Sequence, residues 1–397
     1  MSGRRADAVV LRGILTSMGE PTVEAEVRFA DGLVGTGSSP AAIAPGRLEQ
    51  RRGRISALGP LPGPFAALAE QLRHADAESQ ADWDALVVQL AHAAGLGTAA
   101  TLPLSLAYCR SRAAAKGIAL YEQFAELAGA TPAEPALLVN VFSGGIHRPG
   151  PADGFQQIMI VAGRERTADS MAAALEVFAA VERDHLRRNG FGGYSASSGL
   201  LAAGRTEDLL GELRTRLDAV APGLGIGFDV AAEHLRDDDG HYRFEGRRLT
   251  GPEFADRIER LVADYAVEFV EDPFDPAHEP LWRRLTGRLD GRCAVIGDDL
   301  FATDADRLRP GLAHGLVVKM NQIGTVSGTV AAGRKARAIG LSCCVSHRSG
   351  ETEDTAMCDL AVGLGARYLK VGGPRRGDRT AKYNQLLRLS ERLAATL

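Results

Sequence analysis

The chain has 397 residues, of which 45% are hydrophobic and 24% charged, and its formal net charge at pH 7 is −4. This length suits a barrel with a smaller companion domain, and the weak negative charge argues against a nucleic-acid-binding protein. The five cysteines form no CxxC pair, which argues against a disulfide framework or a zinc site, and no apolar stretch is long enough to span a membrane.

The basic N-terminus lacks the sustained apolar core of a signal peptide, so we expect a cytoplasmic protein. Residues 1–132 are predicted to form an α+β domain, which begins with strand-like runs at 7–16 and 22–30. A loop of small residues follows at 35–46. Helical patterns come next, at 65–75, 82–94 and 104–117. A Pro/Ala-rich link separates this domain from a second one, which we expect over residues 133–397.

In the second domain, apolar runs of strand length alternate with helical patterns, and many of the runs end at a group that can do chemistry. Those groups are Asp229, Glu271, Asp298, Lys319, His347 and Lys370, separated by 21 to 42 residues, or about one βα unit. Successive strands with helical crossovers predict a parallel sheet, and this many strands predict closure into a β/α barrel. In such a barrel the C-terminal ends of the strands carry the active site.

Three acids, Asp229, Glu271 and Asp298, stand at successive strand ends. Taken singly, each is typical of a helix cap or a loop. Together at one face of a barrel, their mutual repulsion calls for a hard cation, and an all-oxygen ligand set suits Mg²⁺. We therefore predict a magnesium site at these three residues.

Lysine is scarce in this chain, because only five of its 46 basic residues are lysines. Lys319 and Lys370 lie at predicted strand ends, and we attribute the other three (Lys116, Lys335 and Lys382) to chance. Two ammonium groups beside a metal would lower a lysine pKa and make it useful as a base, which arginine cannot be. The adjacent His347, Arg348 and Ser349 suit a phosphate or carboxylate.

Long segments of the sequence resemble the enolase family: VVKMNQIGT, VSHRSGETEDT, FVEDPFD, GDDLF and GDRTAKYNQLLR. The resemblance covers nearly the whole chain and is dense from residue 226 onward. It implies the α/β fold class, with an enolase-type modified β/α (TIM-like) barrel and an N-terminal α+β capping domain. It also implies an enolase-superfamily Mg²⁺-dependent enzyme, a lyase or an enolase-derived transferase.

The resemblance assigns roles to individual residues. Asp229, Glu271 and Asp298 match the magnesium ligands, and Lys319 matches the base that removes the proton α to the substrate carboxylate. Lys370 matches the lysine that binds this carboxylate, and His147 matches a histidine of a glycine-rich catalytic loop. A small phosphorylated or phosphonate carboxylic acid would contact six residues: His147, Gln157, His347, Arg348, Ser349 and Lys370.

The sequence departs from the family at residues that would act when the substrate hydroxyl is expelled. Phe191 stands where the family has its catalytic glutamate, and Gln157 replaces the second acid of a Gln-Glu pair. The mobile serine loop is shortened around residues 37–46, where Ser38 or Ser39 could substitute. General acid catalysis contributes about 10²–10⁴-fold, so we expect proton abstraction to be intact and dehydration to be impaired. His147 is a candidate replacement for the acid.

These departures favour a specialised enzyme, of which carboxyphosphonoenolpyruvate synthase, an enolase relative in phosphinothricin-type phosphonate biosynthesis, is the best match. Its co-substrate would be a nucleotide-activated phosphonate, with a different leaving group. The alternatives are a phosphopyruvate hydratase of reduced activity, which converts 2-phosphoglycerate to phosphoenolpyruvate, and a non-catalytic paralogue. The family resemblance also implies a homodimer or a higher oligomer.

Overall fold

The computed structural model describes residues 4–41, 55, 57–147, 153–163, 167–190, 192–202 and 204–396. Its strands are β1 (Arg4–Leu15), β2 (Pro21–Phe29), β3 (Val34–Ser38), β4 (Gly59–Pro60), β5 (Asp76–Ala77), β6 (Ala136–Ser143), β7 (Gln157–Ala162), β8 (Leu200–Leu201), β9 (Gly225–Asp229), β10 (Tyr242–Phe244), β11 (Arg247–Leu249), β12 (Val267–Glu271), β13 (Ala294–Gly297), β14 (Gly315–Val318), β15 (Ser342–Ser346) and β16 (Tyr368–Gly372). Its helices are α1 (Pro64–Leu72), α2 (Gln80–Ala93), α3 (Thr98–Lys116), α4 (Leu120–Ala128), α5 (Thr167–Asn189), α6 (Thr206–Val220), α7 (Gly251–Asp264), α8 (Glu279–Leu289), α9 (Met320–Ile323), α10 (Val326–Ala338), α11 (Ala356–Gly363) and α12 (Gly377–Thr396).

An antiparallel sheet precedes the barrel, with its strands in the order β3-β2-β1-β4 and with β5 paired to β1. Alternate residues of β2 are buried, as the two-residue period of a half-covered strand requires. We expected a loop at 35–46, but its first four residues belong to β3. Residues 42–46 lie outside the described part of the chain. A Cβ on Gly35 would lie only 1.8 Å from the carbonyl oxygen of Ala107, so this glycine lets β3 touch α3 directly.

Within the described residues, eight strands close into a barrel in the order β6-β7-β9-β12-β13-β14-β15-β16, and β16 pairs with β6. The expected all-parallel sheet is wrong at one place, because β7 runs antiparallel to both β6 and β9. The described part of the connection from β6 to β7 contains a 3₁₀ turn, Gly145–His147, and no crossover helix, so the chain returns in the opposite direction.

A two-residue period sets which side chains enter the barrel. The interior apolar cluster includes Phe269, Ile296, Val317 and Tyr368. Two positions after each of these residues in the sequence come, in the same order, Glu271, Asp298, Lys319 and Lys370. Because side chains two apart share one face of a strand, the residues after the apolar layer point into the mouth of the barrel. The core thus positions the polar groups above it.

Helices α5 to α11 lie between successive barrel strands in the chain, and α12 follows the last strand. Helix α5 stops at Asn189, and Gly190 after it takes the left-handed conformation with φ of 71°, which is common at helix C-termini. The division into domains 1–132 and 133–397 stays a prediction. None of the helices in the described ranges combines the length and the apolar character needed to cross a bilayer.

Candidate active site

The three predicted metal ligands meet at the mouth of the barrel. Asp229 and Glu271 are paired neighbours on the parallel strands β9 and β12, and Asp298 follows the next strand, β13. All three are buried, and all three line one polar cleft. The structure therefore brings together the carboxylates that the strand ends predicted.

Two lysines contact these acids. Nζ of Lys370 donates to Oδ2 of Asp229 at 2.8 Å and to Oε2 of Glu271 at 2.6 Å, and Lys319 donates to Oδ2 of Asp298. Both lysines line the cleft. Ammonium and carboxylate groups therefore touch directly at the mouth of the barrel.

The charges in the cleft shift several pKa values. Burial and the charge of Asp229 raise the pKa of Glu271. Burial alone would lower the pKa of Lys370, but Asp229 and Glu271 outweigh it and raise this pKa. Without a bound metal, the two carboxylates stabilise the ammonium form of Lys370. The lowering of a lysine pKa beside a metal stays a prediction. Burial also opposes ionisation of Asp298, yet Lys319 keeps its pKa below the ordinary value.

The donor set fits a hard divalent cation. Asp229, Glu271 and Asp298 offer carboxylate oxygens, which Mg²⁺ prefers. Oδ1 of Asp298 is buried and accepts no hydrogen bond from any residue in the described ranges. Lys370 brings only one positive charge to the other two acids, so it does not balance both of their negative charges.

A second group of acids overlaps the first. Asp272, Asp298 and Asp299 each bring one carboxylate oxygen within 4.8 Å of the others. Asp272 accepts hydrogen bonds from the backbone nitrogens of Asp298 and Asp299, both at 2.8 Å, so it shapes the turn that carries Asp298. Burial and the charge of Asp298 raise the pKa of Asp299 to about 7.

The predicted anion-binding residues lie on the loop after β15. His347, Arg348 and Ser349 all line the cleft. Arg379 of α12 donates to Nδ1 of His347 and to the carbonyl oxygens of Arg348 and Ser349, the last two at 2.9 and 3.0 Å. Burial and the nearby charges of Arg379 and Lys370 hold the pKa of His347 well below its ordinary value. His347 is therefore a neutral hydrogen-bonding group.

One wall of the cleft is uncharged. Because β7 runs antiparallel, its first residue, Gln157, lies at the same mouth as the last residues of the parallel strands and pairs with Asp229. Nε2 of Gln157 lies 3.5 Å from Oγ of Ser197, and Nε2 of Gln156 lies 3.5 Å from Oδ2 of Asp229. The side-chain oxygens of both glutamines are buried and meet no donor among the described residues. This wall can accept and donate hydrogen bonds but cannot supply an acidic proton.

Other predicted residues do not join the cleft. The structure places Ile146 in the cleft lining and leaves His147 out of it. The hydroxyl of Ser38 is bonded to Thr352 at 2.6 Å and that of Ser39 to the carbonyl of Pro40 at 3.3 Å, so neither reaches the acids in this structure. Phe191 lies outside the described residues.

Several cleft residues were missed from the sequence. Ser197, Glu233, His234 and Asp272 line the cleft beside the predicted groups. Asp272 directly follows Glu271, and the other acid and the histidine lie four and five residues after Asp229, so a wider view of the strand ends would have found them. Lys382 was also misjudged as chance, because it is fully buried and donates to the carbonyl of Thr352.

Comparisons with known proteins bear on this site. The model of the family described as "Enolase, C-terminal TIM barrel domain" matches residues 133–397. A protein named Enolase from Methanopyrus kandleri is 35% identical over 417 residues, which cover 98% of this chain and 96% of the relative. One of the same name from Tropheryma whipplei (strain Twist) is 34% identical over 415 residues, which cover 98% of this chain and 95% of the relative.

Proposed function

The chain belongs to the enolase family, and from this membership we propose that it abstracts the α-proton of a phosphoglycerate-type acid with Lys319 as the base. It is an enolase-superfamily enzyme, a lyase by its relatives. The single observation that carries the proposal is the meeting of two lysines with three carboxylates at one barrel mouth. Such a set combines a base with groups that can hold a metal and a carboxylate.

Each residue has a part in this proposal. Mg²⁺, held by Asp229, Glu271 and Asp298, would supply positive charge to the doubly charged carboxylate that proton removal creates. Lys319 takes the proton on Nζ, and its backbone nitrogen is fixed by a 3.0 Å hydrogen bond to Oγ1 of Thr303. Lys370 binds the substrate carboxylate, since its ammonium form is strongly favoured.

The other end of the substrate is held by the loop after β15. Arg348 and Ser349 offer a guanidinium fork and a hydroxyl to a phosphate or phosphonate group. Neutral His347 offers a hydrogen bond without further charge. Gln157 contacts the substrate from the uncharged wall, and His147 stays a proposed participant although it does not line the cleft in this structure.

The more specific proposal is a carboxyphosphonoenolpyruvate synthase-type reaction with a nucleotide-activated phosphonate as co-substrate. The uncharged wall of Gln156, Gln157 and Ser197 supports it, because a leaving group other than hydroxide has less need of an acid. Phe191 in the sequence supports it for the same reason. We include in the proposal a cytoplasmic location and a homodimer or higher oligomer.

A second candidate is ordinary conversion of 2-phosphoglycerate to phosphoenolpyruvate. The relatives from Methanopyrus kandleri and Tropheryma whipplei, both named Enolase, favour it. Phosphorus NMR distinguishes the two candidates when 2-phosphoglycerate is supplied alone and then with a nucleotide-activated phosphonate. The first candidate predicts a new phosphonate ester resonance, with release of the nucleotide, only when both compounds are present. Rapid phosphoenolpyruvate formation from 2-phosphoglycerate alone would favour the second candidate and overturn the first.

A further inference from the structure

Arg110 and Asp354 form a largely buried ion pair that the proposed chemistry does not use. Nη1 and Nη2 of Arg110 donate to the two carboxylate oxygens of Asp354 at 2.7 and 2.5 Å. The side chains are 25% and 12% exposed. Two parallel bonds between planar groups fix orientation as well as distance. Neither residue lines the cleft, so the pair does not touch a ligand there.

The pair joins two distant parts of the chain. Arg110 lies on α3 and also donates to the carbonyl of Thr36 in β3 at 2.8 Å. The backbone nitrogen of Ser38 donates to Asp354 at 3.1 Å, and the hydroxyls of Ser38 and Thr352 share a 2.6 Å hydrogen bond. The N-terminal sheet is thereby bonded to the loop that follows β15.

The same loop carries the anion-binding residues. Ala41 and Gly350 exchange two backbone hydrogen bonds, at 2.7 and 3.0 Å, directly after Ser349. Oε1 of Glu351 accepts from the backbone nitrogen of Arg348 at 2.8 Å, and Lys382 lies 3.1 Å from Oε2 of the same glutamate. The loop is therefore fixed from the barrel side by Lys382 and from the sheet side by Arg110.

We propose that Arg110 and Asp354 are positioning residues that hold the backbone of Arg348 and Ser349 in place to receive the phosphate-type group of the ligand. This inference rests on the proposed function of that loop. Losing the pair should weaken binding, because the loop would have to be ordered when the ligand arrives. It should spare the chemical step, because Lys319 and the acids are fixed by other strands.

The test measures the affinity of the full-length protein for 2-phosphoglycerate with Mg²⁺ by calorimetry, together with α-proton exchange at saturating ligand. Arg110→Met should raise the Kd by at least about 10-fold and change the saturated exchange rate by less than about threefold. Arg110→Lys keeps the charge without the fork and should give an intermediate Kd. Ser38→Ala, which removes one bond of the same contact, is a milder second variant for the case in which Arg110→Met does not fold.

Arg12→Met is the matched control. Arg12 also makes a guanidinium fork, to Glu24 and Glu26 at 2.7 and 2.9 Å, and both of these partners belong to β2 of the N-terminal sheet rather than to the loop. The Arg12→Met variant should bind 2-phosphoglycerate with the wild-type Kd. If Arg110→Met binds 2-phosphoglycerate with the wild-type Kd, whether or not its Tm falls, the pair only stabilises the fold.

Amide hydrogen exchange without ligand separates this inference from the proposed function. Residues 347–354 should exchange faster in Arg110→Met than in the wild type and unchanged in Arg12→Met. Equal exchange in Arg110→Met and the wild type overturns the inference whether or not 2-phosphoglycerate binds. A wild-type protein that fails to bind 2-phosphoglycerate counts against the proposed function alone.

Discussion

Nζ of Lys370 lies 2.6 Å from Oε2 of Glu271, and both side chains are buried. The ammonium also reaches Asp229, so one lysine contacts two of the three predicted metal ligands and balances one of their two negative charges. Removing two charges from water is costly unless they meet in good geometry, which this contact supplies. A divalent cation at these acids would share the two carboxylates with Lys370, which bonds one oxygen of each.

The magnesium site can be tested by calorimetric titration of the wild type and of Asp229→Ala combined with Glu271→Ala. We expect binding to the wild type and none to the double variant, because two of three carboxylate ligands are lost. Asp306→Ala is the control, since its carboxylate side chain is 98% exposed and lies outside the cleft. Unchanged binding in the double variant would place the metal elsewhere.

Dehydration of 2-phosphoglycerate should be slow, with a turnover below about 1 s⁻¹, the lower end of the usual enzyme range. Gln157 and Phe191 cannot donate a proton to the departing hydroxide. Gln157→Glu combined with Phe191→Glu should raise the rate by at least about 10-fold, because it returns both acids. The measurement is formation of phosphoenolpyruvate. A wild-type turnover within the usual enzyme range, about 1 s⁻¹ or more, would refute the claim of specialisation.

Proton abstraction should be separable from dehydration. In D₂O the wild type should incorporate deuterium at C2 of 2-phosphoglycerate while little phosphoenolpyruvate accumulates. Lys319→Ala and Lys319→Arg should both abolish the exchange, since arginine stays protonated and cannot act as a base. Lys335→Ala is the control, because that lysine is 43% exposed and outside the cleft. Exchange that persists in both Lys319 variants would show that another group is the base.

Asp359 on α11 should make stability depend on pH. Its side chain is buried, and burial raises its pKa from 3.8 to about 6. The folded state therefore binds this proton more tightly than the unfolded state, so the carboxylate is increasingly destabilising as pH rises from about 3.8 through about 6. Asp359→Asn should raise the free energy of unfolding by about 3 kcal/mol at pH 8 and by about half as much at pH 5.

Urea unfolding at the two pH values measures this effect. Nε2 of Gln385 donates to Oδ2 of Asp359 at 3.1 Å, and an asparagine oxygen can accept the same bond, so the substitution changes mainly the charge. Asp306→Asn, at an exposed carboxylate, should change the free energy of unfolding by less than about 0.5 kcal/mol. A gain for Asp359→Asn that is equal at both pH values would show that its carboxyl group does not titrate as described.

The sequence by itself determined the features that depend on local periodicity. Apolar runs predicted the barrel strands, and the polar residues at which those runs end, such as Glu271 and Lys319, predicted groups that line the cleft. This works because side chains on a strand alternate between two faces wherever the strand lies. The acids, the two cleft lysines and the loop after β15 could therefore be found without coordinates.

Only the tertiary structure decided how distant elements meet. The antiparallel course of β7 brings Gln157 beside Asp229, and Lys370 reaches acids 99 and 141 residues earlier in the chain. Arg110 and Asp354 are 244 residues apart and show no shared pattern in the sequence. Such contacts depend on the relative placement of whole strands and helices, which the packing of the complete core sets and which no local period encodes.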